Sequence, residues 1–297
     1  MSTPDAGIFG SSTAPAKAPG VAGRTCLVTG GAGGLGKAVA EAFLRAGANV
    51  VICDIHEERL AQTAKELGEL GPLASFVVDV TVETQVRQLF DDTAARFGKV
   101  DILINNAGLP DRFQPVGDVD MDLWDKVIAV NLTAPVLMSK FAVKSMATGT
   151  TGGCIINMAS VASKAGVLSG MCSHILPIFS LGPGNQANSI PVGVAYVASK
   201  HGLLGITKST AVHYRDKGIG CVALLIGLMA ETNMSEHITD IHQEAWARAS
   251  KVMLAADMKP ISMETLAGYC VKLAEDNCSL FNGSCVTVDG GFSTVLG

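Results

Sequence analysis

Short apolar runs alternate with segments of helical period along most of the chain. Thr25–Thr29 and Asn49–Cys53 read as strands, with helices expected over Gly34–Ala46 and His56–Leu67. Leu73–Val78 follows as a third strand, and Val82, Val86, Leu89, Phe90 and Phe97 then stand at helical spacing. Val100–Ile104, Cys154–Met158, Gly220–Ile226 and Ser284–Val288 complete the strands. Further helices are expected over Met121–Met146, Val194–Tyr214, Asn233–Leu254 and Ser262–Glu275. Strands that are apolar throughout, separated by helices, belong to a parallel sheet covered on both faces, with right-handed crossovers. The expected fold class is therefore α/β, a single-domain doubly wound parallel sheet with helices on both faces.

Composition agrees and removes some functions. With 48% apolar and 16% charged residues, the 297-residue chain can bury a large core. Net charge is −5 and basic residues are scattered, so no nucleic-acid partner is expected. The longest apolar run, Cys221–Ala230, falls far short of the ~20 residues needed to cross a bilayer, so no membrane partner is expected either. Residues 1–23 are rich in Ala, Pro, Gly, Ser and Thr and lack the marks of a signal or transit peptide; they read as a flexible tail on a cytoplasmic protein, ahead of one domain over 24–297. Eight cysteines show no C-x-x-C pair and read as reduced, space-filling thiols; six histidines show no ligand spacing, so no metal site is expected.

Chemistry first concentrates at Thr29-Gly-Gly-Ala-Gly-Gly-Leu-Gly36, where the first strand should turn into the first helix. Glycines there let a backbone approach a pyrophosphate, and a helix N-terminus supplies amides and positive potential. The run satisfies G-x-G-x-x-G at Gly31, Gly33 and Gly36, and T-G-x-x-x-G-x-G at Thr29, Gly30, Gly34 and Gly36, with Leu35 inside the turn. A glycine run by itself marks only a tight turn; its place here, in a Rossmann-like context, favours a dinucleotide. Asp54 lies about 20 residues on, at the end of the second strand, where a carboxylate can bond a ribose 2′-hydroxyl and repel a 2′-phosphate. Lys37 and Arg59 are the nearest cations, so NAD(H) is expected over NADP(H); the alternative is a solvated turn aspartate. Asp79-Val80 and Asn105-Asn106-Ala107-Gly108 end the third and fourth strands and fit the rim of the same crevice.

Tyr196 and Lys200 stand four apart, on one face of a helix. A phenol with an ordinary pKa of about 10 cannot take a proton at neutral pH, but a neighbouring ammonium favours the phenolate. Lowering that value by about three units requires roughly 4 kcal/mol, within reach of a close cation in a partly dry site. Such a pair is a general acid/base for alcohol–ketone chemistry.

With these residues together, the chain resembles the short-chain dehydrogenase/reductase family from Arg24 to about Phe292. The motifs occur in order: T-G-x-x-x-G-x-G, N-N-A-G, Tyr-x-x-x-Lys, and Asp289-Gly290-Gly291 after the last strand. The resemblance implies a catalytic set of Ser160, Tyr196, Lys200 and Asn131. It assigns Tyr196 the proton, Ser160 a hydrogen bond to the substrate oxygen, Lys200 the phenol pKa and the nicotinamide ribose, and Asn131 a relay water. It places Thr232 near the carboxamide and implies a homodimer or homotetramer, with Met121–Met146 and Val194–Tyr214 as candidate interfaces. The implied reaction is hydride transfer between nicotinamide and a secondary alcohol or ketone of a small, apolar substrate. Ser160 also fits a strand-end cap, and Asn131 a polar residue inside a helix, where asparagine is a poor former and suggests a specific bond.

The chain departs from the family pattern. Ser160 and Tyr196 lie 36 positions apart, with an insertion at about 168–190. It reads as a wall of the substrate pocket, a surface excursion or an artefact of the gene model, the last slightly favoured because joining Val167 to Pro191 restores an ordinary length. Ile226-Gly227 replaces the usual Pro-Gly after the sixth strand, and Thr232 is displaced by one, so the turn is less fixed. Met229, Met234 and Met253 read as an adaptable apolar pocket or as core. Two alternatives follow: a catalytically silent dinucleotide-binding protein disabled by the insertion, and a C=C or C=N reductase on the same fold.

Overall fold

The protein, described from a computed structural model, is seen over residues 20–164, 168–169, 190–229, 241–245, 247, 260–291 and 293. Seven parallel strands form its central sheet: β1 (Thr25–Thr29), β2 (Asn49–Asp54), β3 (Leu73–Val77), β4 (Ile102–Asn105), β5 (Gly153–Ser160), β8 (Ile219–Ile226) and β9 (Cys285–Val288). Their order is β3-β2-β1-β4-β5-β8-β9, so the direction of winding reverses between β1 and β4. Every residue of β1, β4, β5 and β8 is buried, as expected of strands apolar on both faces.

The helices are α1 (Gly34–Arg45), α2 (Glu57–Leu67), α3 (Glu83–Phe97), α4 (Met121–Ile128), α5 (Ala134–Met146), α6 (Val194–Tyr214) and α7 (Met263–Glu275). Alternation along the strands divides the core. Val28, Ile52 and Ile104 pack with Phe43 of α1, Leu60 of α2 and Leu266 of α7. Their neighbours Leu27, Val51 and Leu103 pack with Leu89 of α3 and Met138 of α5 on the opposite face. Removing the larger of these side chains costs about 2–5 kcal/mol each.

Boundaries agree with the sequence reading to one or two residues, and α6 has the expected ends. Met121–Met146 is one helical run, long and apolar enough by length and composition to cross a membrane, yet its α5 half packs against α3 and the sheet. It is interrupted at Ala129–Thr133 by a π-helical turn that carries Asn131. The helix expected over Asn233–Leu254, with Met234, Met253 and Thr232, lies outside the described residues except at 241–245 and 247.

Of the insertion, the two ends are described. Leu168–Ser169 (β6) pairs antiparallel with Ile190–Pro191 (β7), so the chain returns to within about one strand spacing, 4.8 Å, of where it left. Residues 170–189 lie outside the described ones.

Two expectations need correction. Cys154, at the start of β5, and Cys278, after α7, are buried and paired as a disulfide with Cα atoms 6.0 Å apart, so not every cysteine is a free thiol. The bond joins positions 124 apart, a partnership no local spacing could announce. The turn after β8 is also fixed without proline. The Gly227 N–H donates to Val288 O at 2.8 Å and Ile261 N–H to Leu228 O at 2.7 Å. A Cβ on Gly227 would stand 2.7 Å from Asp289 Cα, so the two chain segments touch only because that position is glycine.

Candidate active site

At the reversal in strand order, the carboxyl ends of β1, β2, β4 and β5 open into a cleft of about 550 Å³. One end is lined by Gly30, Gly34, Leu35 and Asp54, the middle by Asn106, Ala107 and Gly108, and the other end by Ser160, Tyr196, Lys200 and Met229. Asp79 and Val80 line it too.

The glycine turn fits a diphosphate. Helix α1 begins with no side-chain cap and no acidic residue in its first turn, so its leading amides and the positive end of its dipole are left for an anion. A Cβ on Gly36 would overlap Gly30 O, and one on Gly31 would come 2.7 Å from Ile52 Cβ. Gly36 and Thr29 therefore serve the cleft from beneath rather than line it. The Thr29 hydroxyl accepts the N–H groups of Asn106 and Ala107, both at 3.0 Å. Asn106 returns the tie, its Nδ2 donating to Thr29 O at 2.9 Å and Gly30 O at 3.1 Å. N-N-A-G is thus bolted to the glycine turn.

At the far end Asp54 is held by two amides, Ala32 N–H on Oδ2 and His56 N–H on Oδ1, both at 3.1 Å. A carboxylate offers about four acceptor sites, so lone pairs remain for ribose hydroxyls. Lys37 is engaged by Glu66, whereas Arg59 lines this end beyond Asp54. Asp79 Oδ1 accepts from Thr81 N–H at 2.9 Å and Thr81 Oγ1 at 2.6 Å, which fixes the turn at the rim.

At the other end, β5 delivers Ser160 and α6 delivers Tyr196 and Lys200 to one wall. The insertion does not separate them, because its paired ends let α6 start where a shorter connection would place it. Ser160 is both things the sequence allowed: its Oγ accepts Ala162 N–H at 3.1 Å as a cap, and it lines the cleft. Lys200 Nζ lies 5.5 Å from the Tyr196 ring centroid. Burial lowers the Lys200 pKa to about 8.

Asn131 stands behind this wall, fully buried. It makes the specific bonds its mid-helix position suggested. Its Oδ1 accepts Leu109 N–H at 2.7 Å, and its Nδ2 donates to Leu109 O at 2.8 Å and Ser199 Oγ at 3.3 Å. Ser199 Oγ donates in turn to Tyr196 O at 2.8 Å. A Cβ on Gly108 would lie 3.6 Å from Asn131 Oδ1 and 3.8 Å from Lys200 Nζ, so both reach one small space over that glycine. Ser199, Leu109 and Asp111 were missed by sequence reasoning. Leu109 acts through its main chain, and Asp111 is one acidic residue in a loop with no spacing to distinguish it.

Known proteins resemble this chain in sequence and fold. The family model described as short chain dehydrogenase matches residues 24–172, and that described as Enoyl-(Acyl carrier protein) reductase matches 181–293. The short chain dehydrogenase/reductase dpfgG of Gibberella zeae is 46% identical over 94% of this chain and 97% of its own length. The chain belongs to the short-chain dehydrogenase/reductase family. As a member it is an oxidoreductase of a family that binds a nicotinamide dinucleotide. Another relative, 3beta-hydroxysteroid dehydrogenase 2 of Eggerthella lenta, is 34% identical over 93% of this chain and 96% of its own. A Beutenbergia cavernae structure with NADP bound at low occupancy superposes with a TM-score of 0.72 and 28% identity, covering 93% of this chain and 99% of that one.

Proposed function

We propose that this short-chain dehydrogenase/reductase prefers NAD(H) and interconverts a secondary alcohol and ketone on a small, apolar substrate. The observation that carries the reaction is the convergence of Ser160, Tyr196 and buried Lys200 on one wall of the dinucleotide cleft. When bound, the dinucleotide supplies or receives the hydride. Tyr196 gives the proton to the substrate oxygen or takes it, and Ser160 donates a hydrogen bond to that oxygen, so both polarise the C–O bond. Lys200 favours the phenolate by its charge and would help to hold the nicotinamide ribose. A relay water bridges Asn131 Oδ1 and Lys200 Nζ over Gly108, where the two reach the same space. Thr232, outside the described residues, is proposed near the carboxamide by its place in the sequence.

The NAD(H) preference rests on Asp54, a carboxylate fixed at the ribose end, where a 2′-phosphate would meet like charge. The relative holding NADP and Arg59 on the same rim make this a point to measure. Titrating the protein with NADH and NADPH by fluorescence, then assaying alcohols and ketones against Tyr196→Phe, tests both halves. Tighter NADH binding and a loss of turnover of about 10²–10⁴-fold in the variant are expected. Equal binding of both dinucleotides, or turnover indifferent to Tyr196, would sink the respective half.

A C=C reductase is the second reading, favoured by the description of the model matching 181–293. Enone reduction that survives Tyr196→Phe would support it. A homodimer or homotetramer is also proposed, since Met121 and Val136 on the α4–α5 run and Val212 on α6 expose apolar side chains.

A further inference from the structure

The loop after N-N-A-G contains a buried carboxylate that does not line the cleft. Asp111 is 4% exposed, and no cation pairs with it in any ion pair among the described residues. Its partners are backbone amides, two of them from across the insertion. Oδ1 accepts Gly193 N–H at 2.7 Å and Phe113 N–H at 3.1 Å, and Oδ2 accepts Tyr196 N–H at 3.0 Å. Gly193 is the N-cap of α6 and has no side chain to satisfy the first turn, so Asp111 supplies the cap from a distance in sequence. Its negative charge also faces the positive end of the helix dipole.

Three further observations make the loop a clamp rather than a chance contact. Val194 N–H donates to Gln114 O at 3.1 Å, a second tie at the same helix start. A Cβ on Gly193 would stand 2.5 Å from Gln114 N and 2.7 Å from Asp111 Oδ2, so loop and helix meet at glycine distance. Phe113, buried in the core, takes φ 62°, a left-handed conformation that a bulky residue adopts only when its surroundings hold it there. At its other end the loop is held by Asn131 through Leu109.

We infer that Asp111 is the positioning residue for Tyr196, fixing the height and rotation of the first turn of α6 so that the phenol meets the substrate oxygen whatever the insertion does. The inference rests on the proposed role of Tyr196 in proton transfer. Pro191, paired with Leu168, lies two residues before Gly193, so the Asp111 anchor acts where the chain re-enters the fold and α6 begins. Burial raises the Asp111 carboxyl above its ordinary range while the amide bonds oppose that shift, as expected of an anion held by amides alone.

D111N tests it. Asparagine keeps one acceptor oxygen and turns an NH2 group on an N–H it should accept, so one anchor is lost with little change of shape. In the full chain, kcat is expected to fall about 10–100-fold while the Kd for NADH, read by fluorescence, stays within about twofold. A second readout needs no substrate. The phenolate absorbance of the three tyrosines is titrated, and the Tyr196 component is isolated by subtracting Y196F. That component is expected to move up by about one pH unit in D111N as the phenol leaves its place beside Lys200. In D111E, which keeps the charge but moves it by one methylene, both readouts should lie between wild type and D111N. If D111N does not fold, D111E carries the test alone. A wild-type Tyr196 titration in whichever variant folds overturns the inference. Absence of wild-type turnover on the substrate panel would instead count against the proposed function, with the titration still deciding Asp111.

Discussion

Lys200 Nζ donates a 2.8 Å hydrogen bond to the main-chain oxygen of Met158, two residues before Ser160 on the same strand. The ammonium proposed to tune the tyrosine is therefore tied to the strand that carries the serine. Among the described residues no carboxylate forms an ion pair with Lys200. It is buried with an ordinary carbonyl as partner, and its pKa falls to about 8 as a result.

That shift has a measurable sign. Below pH 8 the lysine is charged in folded and unfolded chains alike, and the cost of burying it is fully present. Between about 8 and the unfolded value of 10.5 the unfolded chain binds more protons, so stability rises with pH through that window. The difference in Tm between wild type and Lys200→Met should grow in favour of wild type from pH 8 to 10.5 and stay flat from pH 6 to 7.5. A difference that does not change across the upper window would mean that Lys200 is not desolvated.

Asp54 should set the choice of dinucleotide. Replacing it by serine removes the like charge that a 2′-phosphate would meet and one strong acceptor for the ribose. NADH binding is expected to weaken and NADPH binding to strengthen, each by about tenfold, or 1.4 kcal/mol. Calorimetric titration of both dinucleotides checks it. If neither affinity moves, Asp54 is merely the turn residue that its bonds to Ala32 and His56 also describe.

Asn131→Ala should cost stability as well as rate. It strips both side-chain bonds of the fully buried Asn131 from the partly buried Leu109 main chain, whose N–H and C=O line the cleft side. Each bond is worth about 0.5–1.5 kcal/mol where water can replace it, so a loss of roughly 1–3 kcal/mol in denaturant unfolding is expected. Full stability in the variant would show that water or a shifted backbone takes over both bonds.

These residues also mark what could be read from the chain alone. Strand and helix periods, the glycine turn and Asp54 are local patterns, and each strand and helix among the described residues stands where they placed it. Tyr196 and Lys200 were legible because one helical turn separates them. Asp111 was not, because its partners on α6 lie more than 80 positions away and are backbone amides that any residue could supply. The π-helical turn at Asn131 left only a trace, an asparagine in an apolar helical run. The Cys154–Cys278 bond left none, since both cysteines sit where small apolar residues would serve equally well.

Gly108→Ala separates the proposed relay water from the rest of the site. The added methyl would make contacts of 3.6 Å with Asn131 Oδ1 and 3.8 Å with Lys200 Nζ, ordinary packing distances, and φ at this position is not in the left-handed region. The fold should therefore tolerate it, with unfolding free energy within about 1 kcal/mol of wild type. The methyl nonetheless occupies the space in which a water would bridge the two groups, and it can neither donate nor accept a proton. Turnover should fall about tenfold or more while NADH affinity changes little, because general acid–base assistance through a positioned water contributes on that scale. Steady-state kinetics on the substrate panel, paired with NADH titration, provide the check. Normal turnover in Gly108→Ala would exclude a water at this point and leave Asn131 with the single task of holding the Leu109 loop.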